Sequence, residues 1–201
     1  MRILILTHPR SGGLSFFNWI CKEMGPLGYH EPDLDNKEIL NEIYNNDNIV
    51  IKVFIENFKN IDLHSFIKTF DNVIIHKRIN TMDTAISSLK GLEVDNENNH
   101  NNWHKVYQVS HQWLEDNKDK IEVAKNKYDR LNKELDEVYV NGSLKTTYES
   151  LFSDKTGIGE LCDYLDVKEP KWLDVLDSSH RLRDGTVGTS KYKKFINKDL
   201  I

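Results

Sequence analysis

The segment Ile3-Leu4-Ile5-Leu6-Thr7-His8-Pro9-Arg10-Ser11-Gly12-Gly13-Leu14-Ser15 decides the fold of this chain. Its apolar start, residues 3–6, is typical of a strand buried on both faces of a sheet. This run is shorter than the apolar core of a secretory signal, so we expect it to be the first strand of the fold. Apolar residues recur at helical spacing over residues 14–24 and are followed by Gly25-Pro26, which predicts a helix that stops there.

The rest of the chain continues this alternation of strands and helices. We predict two strands and a helix, then two strand pieces around the turn Asn141-Gly142 and a last helix, at residues 48–54, 71–76, 81–92, 137–140, 144–147 and 158–165. Together they predict a single α/β domain over residues 1–201, a P-loop-like three-layer fold with a mainly parallel central sheet.

A helical insert is expected at about residues 93–137. It contains an Asn-rich polar loop at residues 96–102 and continues as helix from 103 to 137, with a break near 116–120. Apolar residues recur every three or four positions from Ile121 to Val138, so one helix face is apolar and the other is charged. Association of two copies through these helices would produce a homodimer.

Composition limits the classes of partner. The chain has 32 acidic and 27 basic residues and a formal net charge of −5, so it lacks the basic excess of a general nucleic-acid binder. No apolar run has the length of a membrane span, and we expect no membrane partner. Cys21 and Cys162 lack the spacing of a disulfide framework or a zinc site, which favours a reduced, cytoplasmic protein.

The loop after the first strand has the composition of an anion-binding site. Gly12 and Gly13 let backbone N–H groups turn toward one point, and the next helix presents its own N–H groups and positive dipole end there. Arg10 adds a permanent forked cation, and Ser11 and Ser15 add hydroxyl donors. A Walker motif is absent, because no Gly-Lys-Ser/Thr of the required spacing occurs.

This loop resembles that of the sulfotransferase family, whose members transfer a sulfuryl group from 3′-phosphoadenosine 5′-phosphosulfate (PAPS). The family loop reads Pro-Lys/Arg-Ser-Gly-Thr/Gly-Thr/Ser after a first strand, and Pro9-Arg10-Ser11-Gly12-Gly13 is similar to it. Leu14 stands where the family has a hydroxyl residue, and Ser15 is the candidate to replace it. The resemblance implies that residues 9–15 wrap the 5′-phosphosulfate.

A second block, from His76 to Ser88, resembles the family's 3′-phosphate block, in which a strand-end Arg and a helix Ser hold one phosphate. When Ser87 is aligned with the family Ser, Ile79 takes the family Arg position and Arg78 lies one residue early. Two interpretations stay open: a bulge re-aims Arg78, or another side chain, such as Lys77, serves instead.

Two later segments are also similar to family blocks. Residues 146–151, Thr-Thr-Tyr-Glu-Ser-Leu, resemble Tyr-Glu-Asp-Leu/Met, which implies that Tyr148 lies beside the adenine. Arg183 and Gly185 match a late Arg-Lys-Gly-x-x-Gly loop that closes over the 3′-phosphate, although Asp184 replaces its Lys. The four blocks follow one another in the family's order.

Sulfuryl transfer needs a charged group at the leaving phosphate and a base at the acceptor. Arg10 is the candidate on the leaving-group side, and its role would be electrostatic because an arginine keeps its proton. Ile51-Lys52-Val53-Phe54 resembles the family's strand ending in Lys-x-His, which implies that Lys52 lies near the reaction centre, although Phe54 replaces the basic His. No metal ion is expected, since fixed cations suffice for a sulfuryl group.

The general base has three candidates. Tyr29-His30-Glu31-Pro32 resembles the Tyr-Glu-Pro-like segment that supplies a glutamate base in carbohydrate-type sulfotransferases, which makes Glu31 the first candidate. Glu56, two residues beyond Phe54, is the second, and His30 is the third. A useful base would have its pKa raised by partial burial.

The resemblance implies transfer of the sulfuryl group of PAPS to a hydroxyl or amine of a small-molecule or carbohydrate acceptor, with release of adenosine 3′,5′-bisphosphate (PAP). One alternative is a small-molecule or nucleotide kinase of related P-loop architecture, which would depend on ATP and magnesium. Another is a non-catalytic PAPS- or PAP-binding protein, which the departures at Phe54, Ile79 and Asp184 favour.

Overall fold

The computed structural model describes residues 1–25, 27–96 and 109–168. Five strands form one sheet in the order β2-β3-β1-β4-β5, and every neighbouring pair is parallel. The strands are β1 (Arg2–Thr7), β2 (Leu27–His30), β3 (Ile49–Phe54), β4 (Asn72–Lys77) and β5 (Leu144–Thr147). The predicted α/β class with a parallel central sheet is confirmed.

Helices cover both faces of this sheet and complete three layers. They are α1 (Gly13–Met24), α2 (Lys37–Asn45), α3 (Leu63–Ile67), α4 (Thr81–Asn96), α5 (His111–Asp116), α6 (Lys118–Glu137) and α7 (Ile158–Leu165), with a 3₁₀ turn at Ile55–Asn57 and a π-helical turn at Glu149–Ser153. No helix in the described ranges is long and apolar enough to cross a membrane.

Successive side chains of a strand point to opposite faces of the sheet, so β1 contributes to the cores on both faces. Ile3 and Ile5 point to one face, where they join the core residues of α1 and α7. Leu4 and Leu6 point to the other face, where they join the core residues of α2, α3 and the end of α6. Because both faces are covered, the run is apolar without interruption.

The apolar stripe predicted on the long helix is confirmed. Ile121, Tyr128 and Leu131 of α6 pack with Ala85 of α4. Leu135 packs in the core on the face of the sheet that α2 and α3 cover, so α6 joins the predicted insert to the α/β layers. The predicted break near 116–120 is also present, since α5 ends at Asp116 and α6 begins at Lys118.

Several elements differ from the prediction. β2, α2 and α3 were not predicted, because β2 is a mostly exposed edge strand and the two helices are short. The strand predicted at 137–140 is wrong: residues 138–140 pair with no described strand, since Val138 packs into the core and β5 takes the place beside β4. The Asn-rich loop lies outside the described residues apart from Asn96, the last residue of α4.

Candidate functional site

Buried polar side chains concentrate at the carboxyl edge of the sheet. Because all five strands are parallel, their carboxyl ends and the residues that follow meet there. Polar groups are costly to bury without hydrogen-bond partners, so this concentration indicates a polar site. The polar side chains of this edge that are at most 7% exposed are Thr7, His8, Ser11, Lys52, His76, Thr81, Thr84 and Thr146.

The loop after β1 has an unusual backbone and leads directly into α1. Arg10 has a φ of 64° and Gly12 a φ of 81°, both in the left-handed region that non-glycine residues rarely adopt. Thr7 Oγ1 and Ser11 Oγ share a hydrogen bond of 2.6 Å across the loop. Gly12 stands at the N-cap of α1 and has no side chain to accept the first N–H groups of the helix, a position that suits an anion.

Two fully buried histidines hold the carbonyl groups of this loop. His8 Nδ1 lies 2.8 Å from Pro9 O, and His76 Nε2 lies 2.8 Å from Ser11 O. Because a carbonyl oxygen only accepts, these ring nitrogens are the donors, and His76 Nδ1 accepts from the Thr146 hydroxyl at 2.9 Å. Burial lowers the pKa of His8 and lowers the pKa of His76 to about 4, so both rings are neutral at neutral pH.

Arg10 extends from the loop to α4. Its Nη2 donates to the main-chain oxygen of Ser87 at 3.0 Å. A Cβ on Gly91, one turn further along α4, would lie only 1.8 Å from that nitrogen, so the guanidinium lies directly on the glycine. Arg10 and Ser87, predicted from separate sequence blocks, are therefore in contact, and Ser87 contributes its carbonyl group.

Tyr148 joins the loop to the segment after β4. A Cβ on Gly12 would lie 2.7 Å from Tyr148 Cδ2, so the ring packs on the loop backbone. Arg78 Cζ lies 4.4 Å from the centroid of the same ring, a cation–π distance. Phe152 stacks on the ring with a centroid distance of 5.0 Å and holds its orientation. Residues from three predicted blocks thus meet at Tyr148.

Glu149 fixes the turn between β4 and α4. Its Oε2 accepts from the Ile79 N–H and its Oε1 from the Asn80 N–H, both at 3.0 Å. The carboxylate therefore lies at the start of α4, where the helix dipole favours negative charge. The side chain of Ile79, at the position aligned with the family Arg, is exposed.

Lys52 and Glu31 form an ion pair at the ends of β3 and β2. Lys52 Nζ donates to Glu31 Oε1 at 2.5 Å and lies 3.3 Å from His30 Nε2. Lys52 is 3% exposed, and its Cε would lie 2.9 Å from a Cβ on Gly13, so it lies against the start of α1. Burial lowers the pKa of the ammonium, an effect that the Glu31 carboxylate opposes. Glu31 is another non-glycine residue at this edge with left-handed backbone, at a φ of 53°.

Two other candidates from the sequence have different partners. Glu56, the second base candidate, pairs with Lys127 of α6 at 3.0 Å. Lys77, the alternative cation of the second block, is held by Asp136 at 2.6 Å. The carboxylate that contacts the buried lysine of β3 is therefore that of Glu31.

The remaining predicted residues belong to the ends of the chain. Leu14 and Ser15 lie half-buried in the first turn of α1, directly after the loop. Arg183 and Gly185 lie outside the described residues.

Sequence reasoning assigned no role to several residues that hold this edge together. The strongest available signal was His76, a polar residue at the end of the apolar run Val73-Ile74-Ile75. His8 follows β1 in the same way. Asn132 carries no signal, because it acts across a long sequence separation on the main chain after β4. Glu149 belongs to the block that resembles Tyr-Glu-Asp-Leu/Met, but its contact with the main chain after β4 is not a local feature of the sequence.

The side chains of the edge follow the strand order. Tyr148 and Arg78 lie at β5 and β4, the loop with Arg10 follows β1, and the ion pair of Lys52 with Glu31 lies at β3 and β2. An elongated anion across this edge would meet an aromatic ring, cations and helix N–H groups in turn. No protein-family model matches the chain, and no curated protein matches it significantly.

Proposed function

We propose that this protein is a sulfotransferase that binds PAPS, transfers its sulfuryl group to a hydroxyl or amine, and releases PAP. One observation carries the proposal: Gly12 and Arg78 contact the same Tyr148 ring, beside the contact of Arg10 with Ser87. These residues come from three sequence blocks that resemble donor-binding blocks of the family. Separate in sequence, they meet at one edge of the sheet.

The proposed donor lies over β1, β4 and β5. The N–H groups of the loop and of the first turn of α1 bind the 5′-phosphosulfate, as helix N-termini bind anions generally. The guanidinium of Arg78 binds the 3′-phosphate, and Tyr148 lies beside the adenine. This arrangement uses the contacts of Gly12 and of Arg78 with the Tyr148 ring.

The proposed reaction centre lies at the ends of β3 and β2. The acceptor oxygen or nitrogen attacks sulfur, the bond from sulfur to the 5′-phosphate oxygen breaks, and the electron pair stays on PAP. Lys52 and Arg10 stabilise the charge on that oxygen. The acceptor proton passes to Glu31, whose carboxylate also lies 3.1 Å from His30 Nε2.

Titration with PAP, followed by thermal stability, tests the donor site. A ligand that binds only the folded state stabilises it by about 2.7 kcal/mol at a hundredfold excess over its dissociation constant. We expect PAP to raise Tm and ATP with magnesium to leave it unchanged. The shift should shrink in Arg78→Leu and Tyr148→Ala but persist in Lys133→Gln, which removes an exposed charge from α6.

The outcomes separate the alternatives. A shift with ATP and magnesium alone would favour the kinase, and no shift with PAP would overturn the sulfotransferase proposal. If PAP binds, incubation with PAPS and a mixture of hydroxyl and amine acceptors tests turnover. Release of PAP that depends on both the acceptor and Glu31 supports catalysis, whereas binding without release identifies a non-catalytic PAP-binding protein.

A further inference from the structure

The main chain of Arg78 is held by side chains and not by a neighbouring strand. Arg78 directly follows β4, and the described ladders of β4 end at Ile75 on the β1 side and at Lys77 on the β5 side. Its N–H donates to His8 Nε2 at 3.2 Å, and its C=O accepts from Asn132 Nδ2 at 2.9 Å. Two side chains therefore continue the hydrogen bonding that the sheet no longer supplies.

The Asn132 side chain also interacts with the His8 ring. Of the forms of this ring, only one fits both of its hydrogen bonds to main-chain groups. Nδ1 faces the Pro9 carbonyl, which accepts, and Nε2 faces the Arg78 N–H, which donates. The ring must therefore be neutral with its proton on Nδ1. It is fully buried and lies 5.4 Å from the Tyr128 ring, which leaves it little freedom to rotate.

The Arg78 side chain depends on this main-chain position. Its Cζ lies 4.4 Å from the Tyr148 ring centroid, and its Nη2 lies 3.3 Å from Asp83 Oδ2. Its Nε is buried and has no hydrogen-bond partner among the residues that the structure describes, so the guanidinium keeps donor capacity. Arg78 thus reaches the Tyr148 ring although it lies one residue before the position that the family alignment favours.

We infer that His8 and Asn132 are positioning residues that fix the main chain of Arg78, so that its guanidinium is held at Tyr148 for an anionic ligand. The ligand is the 3′-phosphate of an adenine nucleotide, a part of the inference that rests on the function proposed above. The hydrogen bonds of His8 and Asn132 to the main chain of Arg78 do not depend on that function. The inference therefore has one test that needs no nucleotide and one that does.

The first test is the tautomer of His8 in the full chain, read from imidazole ¹⁵N chemical shifts at neutral pH. We expect His8 to be neutral with its proton on Nδ1. His76 is an internal reference, because its contacts require the opposite tautomer, with the proton on Nε2. A His8 ring that is charged, or that carries its proton on Nε2, would overturn the positioning role.

The second test uses two variants of His8 that each keep one contact. In His8→Gln the side-chain oxygen can stand near the position of Nε2 and still accept from Arg78, whereas in His8→Asn the amide can stand near Nδ1 and donate to Pro9. The readout is the ratio of the affinities for PAP and for adenosine 5′-phosphate, which isolates the 3′-phosphate. We expect this ratio to fall about tenfold in His8→Asn, as for a lost charged hydrogen bond, and to stay within about threefold of wild type in His8→Gln.

Two further variants keep this test decisive. Asn132→Leu removes the donor to the Arg78 carbonyl and should lower the ratio as His8→Asn does, while Lys133→Gln on the same helix should not. Equal ratios in His8→Asn, His8→Gln and wild type would overturn the positioning role. If wild type binds neither nucleotide, the proposed function fails. The positioning role is then tested by the tautomer of His8 and by the amide proton shift of Arg78 in His8→Gln and His8→Asn.

Discussion

The guanidinium of Arg10 occupies the space that a β-carbon of residue 91 would take. A Cβ built on Gly91 would lie 1.8 Å from Arg10 Nη2, and that nitrogen donates to Ser87 O at 3.0 Å. A glycine inside a helix costs about 0.5–1 kcal/mol relative to alanine. The presence of Gly91 in the interior of α4 is therefore explained by the arginine that lies on it.

We expect Gly91→Ala to displace Arg10 without unfolding the protein, because the end of a flexible side chain can move. The gain in helix propensity, about 0.5–1 kcal/mol, offsets the loss of one hydrogen bond of similar size. Tm should stay near that of wild type, while PAP affinity should fall toward that of Arg10→Ala. Thermal denaturation and PAP titration measure the two effects.

The double variant is the control for this prediction. In an Arg10→Ala background, Gly91→Ala should stabilise α4 by about 0.5–1 kcal/mol and leave PAP affinity unchanged. Equal effects of Gly91→Ala in both backgrounds would show that the two residues do not interact.

Gly12→Ala and Gly25→Ala separate backbone strain from contact with Tyr148. Both glycines have positive φ, 81° and 66°, so each alanine costs about 1–2 kcal/mol for its backbone. A Cβ on Gly12 would also lie 2.7 Å from Tyr148 Cδ2, whereas one on Gly25 meets no described atom within 4 Å. We expect urea unfolding to show a larger loss of unfolding free energy in Gly12→Ala than in Gly25→Ala. Only Gly12→Ala should weaken PAP binding. Equal losses would contradict the contact with Tyr148.

Glu31→Gln should leave the buried ammonium of Lys52 without its counter-charge. Breaking a fully buried pair costs about 3–5 kcal/mol, but Glu31 is 33% exposed, so we expect a loss of about 1–2 kcal/mol at neutral pH. The pKa of Lys52, already lowered by burial, should fall further. Between its own Lys52 pKa and that of the wild type, the folded variant binds fewer protons than the folded wild type, so its deficit should shrink as pH rises through that range.

Urea unfolding at neutral and alkaline pH measures this deficit. The matched control is Glu134→Gln, which removes a carboxylate from an exposed pair with Arg130 at 3.4 Å. An exposed pair contributes little, so the control should be close to wild type at both pH values. A similar loss in both variants would show that burial of Lys52 is not the cause.

His76 should make stability depend on pH in the acid range. Burial lowers its pKa to about 4 in the folded protein, against about 6.5 in the unfolded chain. Between these values the unfolded chain binds more protons, so the free energy of unfolding falls as pH falls, by about 3 kcal/mol in total. In His76→Gln this part of the pH dependence should disappear. Parallel pH profiles for wild type and variant would contradict the assignment.

Much of the fold could be predicted from local patterns. The apolar run at residues 3–6 and the strands near 48–54 and 71–76 were identified because buried parallel strands have a continuous apolar signature. β2 was missed because an edge strand with exposed side chains has no such signature. The strand order was also beyond sequence reasoning, since it depends on which crossover packs on which face.

Several residues that the sequence singled out lie together in the fold. Arg10, Ser87, Tyr148 and the loop glycines were named from their resemblance to family blocks, and they are close in the fold because the carboxyl ends of parallel strands meet at one edge. Which of the two glutamate base candidates, Glu31 or Glu56, lies at Lys52 could be seen only in the structure. Both carboxylates suit the role by type and position in the sequence, and only the pairing of β2 with β3 brings one of them to the lysine.

The sequence by itself determined the α/β class, the glycine-containing loop at the start of α1 and the residue types at the carboxyl edge, because these depend on neighbours within a few positions. The tertiary structure decided which residues are in contact. Arg10 packs on Gly91, His8 and Asn132 form hydrogen bonds with the main chain of Arg78, and Glu31 pairs with Lys52. These pairs are separated by 21 to 81 positions, and their geometry follows from strand order and helix packing, which local periodicity does not encode.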